Sequence, residues 1–188
     1  MYRLRMVSTA LLLTVLLGTA FVSEAQYGRD KTKADASPGA TAGQTIGIDS
    51  KISIDYHRPA VKGRKIWGTN LAPINDEKPW RAGANETTAI TFSDDVEIGG
   101  EKVAAGTYGV HIAIADGDWT WVINKGYKTW GTFQYKIDDD VVRVKATPED
   151  APNQERLVFG FDNLTSDGAT LFMRWEKKKV SLPIKLAK

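Results

Sequence analysis

The chain has 188 residues, no cysteine and a formal charge of +2. That length can bury a core without cross-links, while the missing thiols exclude disulfides, thiolate metal ligands and a cysteine nucleophile. Near-balanced charge gives no electrostatic case for nucleic acid or an anionic membrane as partner.

The first predicted element is a secretory signal peptide over residues 1–25. Arg3 and Arg5 precede an apolar run from Met6 to Val22, and Ser23-Glu24-Ala25 places small residues where a signal peptidase reads them. The run is interrupted by Ser8, Thr9, Thr14 and Gly18 and falls short of the roughly 20 apolar residues a spanning helix needs. The expectation is therefore export to the periplasm or the extracellular space, with no membrane insertion after cleavage. Residues 26–43 are polar, small and without period, and read as a flexible leader. Residues 44–188 read as a single domain.

Within that domain the signal is alternation. Ile52, Ile54 and Tyr56 alternate with polar neighbours, as do Tyr108, Val110, Ile112 and Ile114. The same pattern recurs over 87–93, 119–124, 141–146, 156–161, 169–175 and 180–186, and each run predicts a half-buried strand. Gly99-Gly100, Asp116-Gly117-Asp118 and Ser166-Asp167-Gly168 suit tight connections. Short strands without helical period predict an all-β domain, an antiparallel β-sandwich or barrel. Pro183 lacks an N–H and predicts an edge strand. Residues 57–86 form one long connection, yet Val61, Ile66, Trp67, Leu71, Ile74 and Trp80 let it pack as an ordered loop.

Several stretches are distinctive: YHRP (56–59), VKGRKIWG (61–68), WRAGANE (80–86), AGTY (105–108) and Trp130-Gly131. Together they resemble an exported bacterial family, common in the Bacteroidetes, catalogued as domain of unknown function 2911. The resemblance spans about Ser37 to Lys185 and implies a secreted or periplasmic β-rich domain without assigning an activity. His57 stands where the family commonly has Ser, and Ala104 where it often has Pro.

The long loop carries the candidate ligand-binding residues Arg58, Arg64, Trp67, Trp80, Arg81, Asn85 and Glu86, joined by Trp130. Guanidinium groups offer forked donors to carboxylates, phosphates or sugar hydroxyls, and indole faces can stack on a pyranose. The structural counter-reading has Arg58 and Arg81 bonding carbonyls that an irregular loop leaves unpaired, with Lys62 and Lys65 merely solvated. Trp119, Trp121 and Trp175 read as core. Glu86 can pair with Arg81 or Arg58, or act as a general base, for which Asp55 or Asp95 would have to supply a second carboxylate. His57 and His111 lack the local spacing of a zinc site. His111 reads as a surface residue, Asp138-Asp139-Asp140 as a solvated turn, and no metal or cofactor is expected. The leading reading is a non-enzymatic exported domain that binds a small polar ligand, a glycan or an envelope protein. The alternative is a hydrolase using Glu86 with Arg81 or His57.

Overall fold

The computed structural model describes residues 36–188, so the expected signal peptide and most of the leader lie outside the described residues. The described chain folds as two antiparallel sheets packed as a β-sandwich, not a closed barrel. The first sheet contains β1 (Gly39–Ile46), β2 (Ser50–His57), β3 (Ala89–Phe92), β6 (Gly106–Ala113), β7 (Trp119–Asn124) and β8 (Asp140–Ala146), adjacent in that order. The second contains β4 (Val96–Ile98), β5 (Glu101–Val103), β9 (Glu149–Asp162) and β10 (Gly168–Leu186), in the order β5-β4-β10-β9.

Alternation fixes which side chains meet between the sheets. Ile52 and Ile54 of β2, Ile90 and Phe92 of β3, Val110 and Ile112 of β6, and Trp121 and Ile123 of β7 are all buried against Leu157, Phe159, Leu171, Met173 and Trp175 of the second sheet. Phe159 sits edge-on to Tyr56, ring centroids 4.9 Å apart, which joins the two sheets directly. Ile98 pairs with Glu101 across Gly99 and Gly100, whose φ values of 62° and 88° make a type I′ hairpin. Gly99 is needed twice over, since a Cβ there would lie 2.5 Å from a Val144 methyl on the facing sheet.

Three expectations change. Gly39 to Gly43 belong to β1 rather than to the leader, because Ala40 and Ala42 pack on the core and Ile46 is buried. The runs over 169–175 and 180–186 are one long strand, β10, bulged at Glu176 (φ 54°). Pro183 therefore lies in an interior strand. It is tolerated because it falls between the part of β10 paired with β9, ending at Lys179, and the part paired with β4, beginning at Ile184.

The loop over 58–88 is ordered, and backbone hydrogen bonds tie it to both sheets. Near its start, Val61 N–H donates to Glu155 O (2.8 Å) and Leu157 N–H donates to Pro59 O (3.1 Å), pairing it with β9. Further along, Trp80 and Ile112 exchange both N–H···O bonds (3.0 and 2.8 Å), so the loop flanks β6 where β3 has ended. That contact satisfies strand groups that would otherwise be orphaned.

Candidate functional site

The basic and aromatic residues of the loop mostly serve the fold. Arg58 Nε donates to Leu157 O at 3.0 Å. Arg64 straddles its own turn, with Nε on Val61 O at 3.0 Å and Nη2 on Ala60 O at 2.5 Å. Lys62 and Lys65 are exposed. Trp80 is 2% exposed, stacks on Trp175 at 5.7 Å, and donates from Nε1 to Gly83 O at 3.2 Å. Trp67 packs against Trp80, Trp119 and Trp175, and its Nε1 donates to Glu176 Oε2 at 3.2 Å. Trp67 and Trp80 are therefore not groove-lining rings. They form an indole cluster that anchors the loop, since large planar side chains bury the most area per residue ordered. Trp119, Trp121 and Trp175 are core, as expected.

What remains is on the outer face of the first sheet. Thr41 of β1, Asp55 and His57 of β2 and Ala89 of β3 occupy outward positions in register. With Gly39, Glu86 and Thr87 they line an open groove of about 380 Å³. His57 Nδ1 lies 3.4 Å from Glu86 Oε2, with the two side chains 22% and 48% exposed. Asp55 accepts a short hydrogen bond from Thr41 Oγ1. Asp95 is elsewhere, holding the Ala105 N–H (2.9 Å) and Lys102 (2.9 Å) at the β4–β5 corner. Glu86 thus meets His57 and shares its groove with Asp55.

The groove-lining Glu86 and Thr87 belong to a short backbone pairing. Thr87 N–H donates to Thr129 O (2.9 Å) and Gly131 N–H donates to Asn85 O (3.0 Å), which places Trp130 opposite Glu86. Asn85 takes φ 58°, a left-handed conformation that Asn tolerates better than most residues. Trp130 is 53% exposed, the aromatic of the candidate set that is open to solvent.

The connection over 125–139, which carries Trp130, also covers the outer face of β6 to β8. Gly109 permits this, because a Cβ there would lie 2.3 Å from Gly126 O. His111 is consequently 1% exposed rather than a surface residue. Its ring lies edge-on to Tyr135 at 4.9 Å, and neither nitrogen has a hydrogen-bond partner. The Pro79 carbonyl faces it outside bonding geometry. Burial, reinforced by Arg81, pushes its pKa down to about 4 against the opposing pull of Asp140. The Trp80–Ile112 pairing sets Arg81 beside His111. Arg81 Nε is buried without a partner, and desolvation lowers its pKa. Arg81 therefore neither bonds carbonyls through Nε nor forms an ion pair with Glu86 among the described residues.

A polar network completes the cover. Tyr135 O–H is shared between both Asp140 oxygens (2.9 and 2.8 Å). Arg143 Nη1 donates to Asp140 Oδ2 at 2.8 Å, and Nη2 forms a short bond to Asp76 of the long loop. Asn124 Nδ2 donates to Asp140 Oδ1 at 2.7 Å. Asp140, its side chain 9% exposed, is therefore the hub of this network rather than part of a solvated turn. Burial, then the Asp140 bond, push the Tyr135 hydroxyl pKa up. No cluster of metal-ligating side chains occurs among the described residues.

The profile of a protein family of unknown function (DUF2911) matches residues 37–184. The chain belongs to the DUF2911 family. No curated protein and no solved structure matches it. The DUF2911 match covers both sheets, the long loop and the cover, so the groove and the His111 cluster both lie within the family's domain.

Proposed function

We propose that this DUF2911 domain is an exported, non-enzymatic binding module, and that its site is the outer-face groove at His57 and Glu86. The observation that carries the reading is the convergence there of two carboxylates, Asp55 and Glu86, with His57 and with an exposed indole, Trp130, on the segment paired to Glu86. Acceptor-rich walls beside an aromatic face suit a small hydroxyl-rich ligand, a glycan of the cell envelope above all. The apolar run from Met6 to Val22, followed by Ser23-Glu24-Ala25, supports export.

Binding is favoured over hydrolysis by what surrounds His57. A hydrolytic triad needs a hydroxyl on Nε2, whereas a Cβ added at Gly39 would lie 3.7 Å from that nitrogen, so Nε2 faces the β1 backbone. Asp55 is already engaged by Thr41. The second reading, a carboxylate-based hydrolase, draws on Asp55 and Glu86 sharing one groove. The discriminating experiment incubates the exported chain with envelope polysaccharide fragments. Retention without turnover supports binding, while turnover that disappears in Glu86→Gln supports the hydrolase.

A further inference from the structure

We propose that the 125–139 cover is an acid-released clasp: charging of His111 frees the Tyr135 segment and, through its pairing with Asn85 and Thr87, loosens the backbone that carries Glu86 and Thr87 into the groove.

The argument begins with what holds the cover down. Its large apolar side chains mostly face solvent, Trp130 at 53%, Phe133 at 78% and Ile137 at 52% exposure. Beneath it, Val122 of β7 is an apolar side chain it shields, 0% exposed beside His111. Its polar attachments include Tyr135 to Asp140, Asn124 to the Lys136 carbonyl (2.9 Å), Thr87 Oγ1 to Gly131 O (2.8 Å) and the two backbone bonds to Asn85 and Thr87, while Lys125 N–H to Asp139 O (2.9 Å) ties the two ends of the cover to each other. A segment held this way opens locally well before the strands beneath it.

His111 sits under that segment with nowhere to place a second proton. From the long loop it faces Arg81 and the Pro79 carbonyl, from the cover the Tyr135 ring, and from β8 Asp140, with Arg143 two strands away in the same row. Asp140 would attract an imidazolium, but its oxygens already accept from Tyr135, Arg143 and Asn124. Arg81 repels it, and water is excluded. A buried cation without a partner is costly. Lifting Tyr135 solvates the ring while breaking no pairing of β6, and it pulls on Thr129 to Gly131, which pair with the Asn85 to Thr87 backbone behind the groove-lining Glu86 and Thr87. The depressed basicity of His111 is the thermodynamic counterpart of this arrangement. A proton that the closed form rejects is accepted by the open form at the ordinary histidine pKa of about 6.5. The clasp does not depend on the groove having a ligand.

The test is amide hydrogen exchange of the exported chain at pH 7 and pH 5, corrected for intrinsic rates, with no ligand present. The opening constant should rise roughly twentyfold between the two values at Thr87 and Gly131, given a closed-form pKa near 4. Amides within β7 should not follow. His111→Gln should abolish the rise. If that variant does not fold, Tyr135→Phe keeps the ring but loses the Asp140 bond, and should speed exchange at the same amides already at pH 7. Equal protection at both pH values, a rise that persists in His111→Gln, or wild-type exchange in Tyr135→Phe would each overturn the clasp.

Discussion

His57 Nδ1 lies 3.4 Å from Glu86 Oε2, although one residue ends β2 and the other stands at the far end of the long loop. The connection leaves the sheet and returns to the same place. Because both side chains are partly exposed, at 22% and 48%, the contact adds little to stability: pairs of this kind contribute about 0–1 kcal/mol. Its position in a groove, rather than its strength, is what suggests a ligand.

Glu86→Gln should therefore leave the urea midpoint almost unchanged, within about 0.5 kcal/mol in unfolding free energy, while abolishing retention on the ligand. A loss of several kcal/mol would instead make the pair part of the scaffold.

The loop arginines should behave oppositely. Arg58→Ala removes the donor to Leu157 O and should cost about 1–3 kcal/mol in urea unfolding, the penalty of an unmet buried acceptor. Lys62→Ala, on an exposed side chain, should stay within about 0.5 kcal/mol. Equal effects would mean that Arg58 is not structural.

Core packing gives a larger number. Phe159 is 2% exposed and touches Tyr56 and Trp121, so Phe159→Ala should cost about 3–5 kcal/mol by opening a cavity between the sheets. Thermal unfolding followed by near-ultraviolet circular dichroism reads it.

The His111 site also makes global stability depend on pH. Its folded pKa, depressed to about 4, lies below the ordinary value, so between the two the unfolded chain binds more protons. Stability is then full above about pH 6.5 and falls as pH drops towards 4, by at most about 3 kcal/mol and by no more than the free energy of opening the clasp. Asp94, Asp95 and Asp150, whose pKa values are lowered mainly by side-chain hydrogen bonds, act only below that window. Arg81→Leu removes a neighbouring cation and should raise the His111 pKa, which imidazole NMR follows directly. An unmoved titration would contradict the assignment of Arg81 beside His111.

The strands that alternate strongly were legible in the sequence. Ile52-x-Ile54-x-Tyr56 and Trp119-x-Trp121-x-Ile123 announce both strand and buried face. Strand β1 was not, because its inward positions include Ala40 and Ala42, too small to mark a period in a Gly- and Thr-rich stretch. The long loop and its ordering were visible from its apolar content. The division of labour among its residues was not, since spacing cannot show that Trp67 and Trp80 reach Trp175, far along the chain in β10. His111 was misread for a related reason. Alternation places it correctly on the outer face of β6, but it cannot reveal that Gly109 lets a distant connection lie across that face. The sequence offered Arg81 or Arg58 as the ion-pair partner of Glu86 and joined His57 to it only in the hydrolase alternative, whereas the geometry sets His57 beside it.

Binding at the groove is tested most directly by titrating isotope-labelled chain, residues 26–188, with a panel of oligosaccharides released from bacterial envelopes and recording backbone and imidazole NMR spectra. The account predicts saturable shifts confined to Gly39, Thr41, Asp55, His57, Glu86 and the Trp130 indole, lost in Glu86→Gln without change of fold. Shifts centred elsewhere, such as the Lys102 and Lys185 surface, or oligosaccharide cleavage that requires Glu86, would contradict it.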